Sequence, residues 1–102
     1  KTKQFPKEEK YSLSDQINRS SRSVCANLAE AWRGRRYKAL FSHKLTECTQ
    51  EVAETQVWLQ FALRCGYIDR KTYESLDERC EHISAMLMTM IKMAESFCKT
   101  ST

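Results

Sequence analysis

Glycine and proline are almost missing from this chain: Gly34, Gly66 and Pro6 are the only three in 102 residues. A sheet protein built on tight turns needs more of both, and Leu, Ala, Glu, Lys, Arg, Gln and Met are plentiful, so long helices are expected throughout. No stretch approaches the ~20 consecutive apolar residues of a spanning helix, and the opening Lys1 to Lys10 is charged rather than signal-like. No membrane association is expected, and a cytoplasmic location is. The five cysteines, Cys25, Cys48, Cys65, Cys80 and Cys98, contain no C-x-x-C pair, and an odd number cannot all pair within the chain. They read as reduced, mostly interior, small apolar residues.

The machinery of catalysis is also lacking. There is no Gly-rich phosphate loop, and Ser20, Ser21 and Ser23 cluster without a dedicated histidine; as small residues they suit close helix packing instead. Glu47, Glu51 and Glu54 invite a carboxylate-metal hypothesis, but helical di-metal sites want Glu-x-x-His. Neither His43 nor His82 has a glutamate three residues ahead, and position 79 is Arg79. Cys80-Glu81-His82 is too isolated for zinc. No metal, no cofactor and no enzymatic activity are expected.

What is present is helical periodicity. Lys1 to Tyr11 lacks it and reads as a connector, after which Ser12-Leu13-Ser14-Asp15 offers a capping arrangement. A first helix is predicted near 13–33, with Leu13, Ile17, Ser20, Ser21, Val24, Leu28, Ala31 and Trp32 as its stripe and Gly34 as its end. A second, near 38–65, carries Phe41, Leu45, Cys48, Val52, Thr55, Leu59 and Ala62 at alternating spacings of four and three, a heptad seam closed by Gly66. A third, near 69–99, starts at the N-cap Asp69, and its seam is Tyr73, Leu76, Cys80, Ile83, Leu87, Met90, Ala94 and Phe97. Met86 and Met93 widen that stripe, so this helix is expected to touch more than one neighbour. The fold class is all-α: one antiparallel bundle domain over residues 1–102, with crossing angles of about 20°.

The run Gln16-Ile17-Asn18-Arg19-Ser20-Ser21-Arg22-Ser23-Val24-Cys25-Ala26-Asn27-Leu28-Ala29-Glu30-Ala31 resembles the signature of the bacterial four-helix-bundle family encoded in intervening sequences of 23S ribosomal RNA genes. Phe5-Pro6-Lys7-Glu8-Glu9, Glu54-Thr55-Gln56-Val57-Trp58-Leu59 and Cys65-Gly66-Tyr67-Ile68 are similar to further family segments, in the same order. The resemblance implies an up-down-up-down four-helix bundle, often a ring-like homopentamer, with no assigned activity; related bundle proteins are accessory factors of diversity-generating retroelements and bind nucleic acid. Family members carry another amphipathic helix before the Phe-Pro-Lys-Glu-Glu segment, whereas only four residues precede it here. Either the N-terminal helix lies in a segment ahead of Lys1, or another copy of the chain takes its place. The first is favoured, because three wide apolar stripes without a partner leave a large exposed groove.

Charge singles out a candidate surface. Residues 1–44 carry 11 Lys/Arg against 4 Asp/Glu, while residues 45–102 carry 6 against 9. Such asymmetry suggests an acidic partner, nucleic acid being the commonest; the alternative is a solvated surface that keeps the protein soluble or pairs with acids of a neighbouring subunit. Arg19, Arg22 and Arg33 fall within roughly 60° on a helical wheel, and the following loop adds Arg35, Arg36 and Lys38 with Tyr37 among them as a stacking ring. Asn27 and Glu30 on the flank of the same helix read as a structural polar set fixing register, with an arginine as neighbour. The expected function is a non-enzymatic homo-oligomer, pentamer favoured, that binds nucleic acid, RNA above all, through this basic helix-loop edge. The alternative is a protein-interaction scaffold or accessory factor without nucleic-acid binding.

Overall fold

The computed structural model describes residues 7–98, with side chains from Lys10 onward. Four helices follow one another: α1 (Lys7–Arg33), α2 (Lys38–Arg64), α3 (Arg70–Lys92) and α4 (Ala94–Cys98). Among the described residues there is no strand. The first six residues of the expected connector lie outside the described range, but Lys7 to Tyr11 are helical, which corrects the start near 13. In the sequence, a proline followed by two glutamates is a pattern that favours a helix start. Those signals outweigh the serines at positions 12 and 14, both exposed.

The heptad seam of α2 organises the molecule. All seven seam residues expected from the spacing, Phe41 to Ala62, are buried. Both α1 and α3 pack against α2, and among the described residues they do not touch each other. The pairings run in opposite senses along the chain, Ser20 with Thr55 and Glu30 with Lys44, then Gln56 with Asp77 and Lys38 with Glu95, so α2 runs antiparallel both to α1 and to the α3–α4 segment. The result measures 66 × 23 × 13 Å, a thin layer with α2 in the middle. Burying Phe41 or Leu45 contributes about 1.5–3 kcal/mol each. Ser20 and Thr55 are the buried polar pair in this core; their hydroxyls meet at 2.7 Å, and Thr55 also donates to the Glu51 carbonyl, its neighbour one turn back.

Two turns follow different physics. Gly66 has φ +78°, and the Tyr67 and Gly66 N–H groups donate to the Ala62 and Leu63 carbonyls, which satisfies the end of α2 in the manner only glycine adopts without strain. Gly34 has no positive φ; a Cβ there would sit 2.6 Å from Leu40 Cδ2, so this glycine supplies space. At the start of α3 the Asp69 carboxylate accepts from the Thr72 N–H at 2.7 Å, as the spacing predicts, and the Thr72 side chain, with that N–H, holds its carboxyl below the usual range.

The third helix departs most from expectation. It breaks at Met93, with no glycine or proline to mark the place, and resumes as α4; the expected end near Lys99 lies outside the described residues. Of its seam, Leu87 and Ala94 are fully buried, while Cys80, Met90 and Phe97 pack partly against the core. Ile83, Met86 and Met93 remain 37%, 60% and 49% exposed. Within the chain α3 touches α2 and α4 rather than several long helices. On α1 Leu28 and Trp32 are exposed as well, and Trp32 meets Phe97 of α4 edge-on at 6.4 Å.

Candidate nucleic-acid interface

The expected basic residues do not form one continuous patch. Arg19 and Arg33 share a face of α1 but stand about 21 Å apart along it at 1.5 Å per residue. Arg19 lines a polar cleft of about 340 Å³ between α1 and α2, with Gln16, Ser20, Ser23, Glu51 and Glu54. Two carboxylates beside that arginine make the cleft a poor place for phosphate. Arg22 is exposed on the same stretch of helix, with no ion pair to a described residue.

The other basic residues gather at the end of the layer where α1 turns into α2. Arg33, Arg35, Arg36, Tyr37 and Lys38 are all exposed there. Lys38 is partly neutralised by Glu95 at 3.1 Å, across the gap to α4. Arg33, Arg35 and Arg36 make no ion pair with a described acid, so three guanidinium groups face solvent together. Arg36 lies 6.0 Å from the Tyr37 ring centroid. Arg35 is fixed more firmly: its Nη1 donates to the Trp32 carbonyl at 2.9 Å and its guanidinium lies 4.0 Å from the Trp32 ring centroid. Sequence reading placed Trp32 in the core stripe, yet it is 47% exposed and belongs to this site. The signal was present in the spacing, since residues three apart on a helix end can meet.

Asn27 and Glu30 lie on the opposite flank from Leu28 and Trp32. Asn27 Nδ2 reaches Ser23 Oγ at a long 3.5 Å. Glu30 pairs with Lys44 on α2, 2.9 Å away, which also reaches Glu47 at 3.3 Å, and the arginine neighbour is Arg33, whose charge also favours the Glu30 carboxylate. The Lys44 hydrogen bond holds the Glu30 carboxyl below its ordinary range, and Glu30, then Glu47, hold the Lys44 ammonium above its own. A depressed carboxylate contributes stability above its unfolded range that is lost as pH falls through the folded value, and a raised ammonium contributes below its unfolded range and loses it as pH rises through the folded value. Glu30→Gln is therefore expected to lower the melting temperature slightly at neutral pH, with the difference from the parent vanishing on acidification through the carboxylate range. Paired melts across that range check it; the Glu30 side chain is 48% exposed and that of Lys44 25%, so solvent screens the pair and the effect is small.

Among the described residues no cluster of three metal-ligating side chains occurs, and no helix is long and apolar enough to cross a membrane. The cysteines stand as free thiols, and burial pushes Cys48 up to about 11, which makes it a poor nucleophile.

Comparison with solved structures finds a likeness to a crystal structure of a protein with unknown function from the S23 ribosomal protein family of Bacteroides thetaiotaomicron, 35% identical, covering 84% of this chain and 79% of that one, with a TM-score of 0.78. Comparison with curated proteins returns no match. The family model described as 23S rRNA-intervening sequence protein matches residues 1–89. Sequence and structure thus agree, and the chain belongs to the 23S rRNA-intervening sequence protein family.

Proposed function

We propose that this protein is a non-enzymatic helical assembly that binds RNA through the turn between α1 and α2. The observation that carries the reading is the grouping of Arg33, Arg35 and Arg36, none paired with a described acid, beside the exposed rings of Trp32 and Tyr37. Guanidinium forks match phosphate oxygens, and exposed rings give unpaired bases a surface to stack on. In a homo-oligomer, with the pentamer as the favoured form, each subunit would repeat the basic end, and multivalent contact would raise affinity without new chemistry.

The test is a salt-titrated binding measurement with structured RNA and duplex DNA, comparing the parent with the Arg35→Ala/Arg36→Ala double variant. Each lost phosphate contact should flatten the salt slope by about one unit of log affinity per log salt. Both positions lie outside the seams, so helicity should survive. A double variant that binds as tightly as the parent at every salt concentration, or a parent that binds nothing at low salt, overturns the proposal. A second reading, a protein-interaction scaffold, draws on the exposed stripe of Leu28, Ile83, Met86 and Met93; it predicts a partner and little salt dependence.

A further inference from the structure

The firmest contact at the basic end belongs to Arg35. Its guanidinium lies 4.0 Å from the Trp32 ring centroid, and its Nη1 is held by the Trp32 carbonyl at 2.9 Å. Trp32 in turn meets Phe97 edge-on at 6.4 Å, and Phe97 meets Phe41, fully buried, at 6.0 Å. An aromatic ladder therefore runs from the core to the surface and ends in a planar cation. An arginine at a loop tip normally samples many rotamers, and fixing it for a ligand costs entropy. Here ring and carbonyl hold it in place before any ligand arrives.

A guanidinium with one face on a ring leaves the other face to solvent, and Arg35 is exposed. That free side is planar and charged, so it can stack on a nucleobase while its N–H edge remains able to reach a phosphate. Bases inside a duplex are already stacked and offer no free face at this position, whereas bases in single strands, loops and bulges do. We infer that Trp32 positions Arg35 as a stacking platform for an unpaired RNA base, so that the α1–α2 end selects single-stranded or looped RNA over duplex. The inference rests on the RNA-binding reading and adds the ligand's conformation and a positioning residue, Trp32. The bland role of the same contact is to close the end of α1, since the bonded carbonyl belongs to its last turn.

The experiment separates these roles. Arg35→Lys keeps the positive charge and removes the planar face; Trp32→Leu keeps the arginine and removes its support. Binding of short oligoadenylate and of duplex RNA is measured for both variants and the parent, with far-ultraviolet circular dichroism as the fold control. The expected result is an oligoadenylate affinity about tenfold weaker in each variant, duplex affinity within about twofold of the parent, and an unchanged salt slope for Arg35→Lys. In a Trp58→Phe background, where Trp32 is the sole tryptophan, oligoadenylate should quench its emission and duplex RNA should not. If Arg35→Lys binds oligoadenylate as the parent does, or if either variant loses duplex and single strand equally, the stacking inference is overturned while RNA binding stands. A parent that binds neither RNA overturns the binding reading itself.

Discussion

Phe41→Ala is expected to be the most damaging single substitution in the core, costing about 3–5 kcal/mol and lowering the unfolding midpoint by upward of about 12 °C. Phe41 is fully buried near the start of α2, at the end of the layer where α1, α2 and α4 come together, and its ring lies 6.0 Å from Phe97. Removing it opens a cavity that the flanking helices cannot fill without shifting along the seam. The loss also reaches outward, because Phe97 supports Trp32 and Trp32 supports Arg35. A domain of this size has only about 5–15 kcal/mol in total, so the variant is expected to lose a large share of its stability. Phe61→Ala provides the comparison: Phe61 is 49% exposed and touches Trp58 at 5.9 Å, and its removal should cost about 1 kcal/mol or less. Urea or thermal melts followed by circular dichroism read both. Equal losses in the two variants would show that burial at the seam does not set stability.

The central helix was the most legible part of the sequence. Its alternating spacing of four and three named every buried residue of α2, because that helix is covered from two sides and its whole seam must be apolar or, at Thr55, internally hydrogen-bonded. The outer helices were read less well for the same physical reason in reverse. An apolar residue at the right register is buried only if a neighbour covers it, and periodicity does not say whether the neighbour is in the same chain. Ile83 and Met86 fit their stripe and are still exposed. The break at Met93 left no mark either. The residues on both sides are good helix formers, and the path of the chain beyond the interruption is set by packing, with Ala94 buried against the core and Phe97 lying between Trp32 and Phe41.

The candidate site was legible as a composition but not as a shape. A helical wheel puts Arg19 and Arg33 on one face, yet it has no axial coordinate, and the 13 residues between them in the sequence separate them into a carboxylate-lined cleft and an open basic end. Neutralising partners were equally hidden. Lys38 meets Glu95 from 57 residues further on, and Glu30 takes Lys44 from the next helix. The Arg35–Trp32 contact, by contrast, is local, and treating tryptophan only as core material obscured it.

Assembly gives the second large effect. Met86 and Met88 lie two residues apart on α3, about 200° apart on the wheel, and are 60% and 47% exposed in the single chain. Met86 shares a face of α3 with the exposed Ile83, three residues before it, whereas Met88 does not. If that side is the contact between copies, a carboxylate at position 86 is carried out of water with no cation to meet it, which costs several kcal/mol per contact. Met86→Glu is therefore expected to weaken association by at least about 100-fold, since each tenfold step is about 1.4 kcal/mol, and to leave a monomer at micromolar concentration. Met88→Glu, on the other flank, should leave the native mass unchanged. Because neither methionine is buried within the chain, both variants should keep the parent's helicity, which distinguishes loss of assembly from loss of fold. Native mass spectrometry or light scattering reads the result. A parent that is already monomeric, or a Met88→Glu that dissociates while Met86→Glu does not, would show that the apolar flank is not where copies of the chain meet.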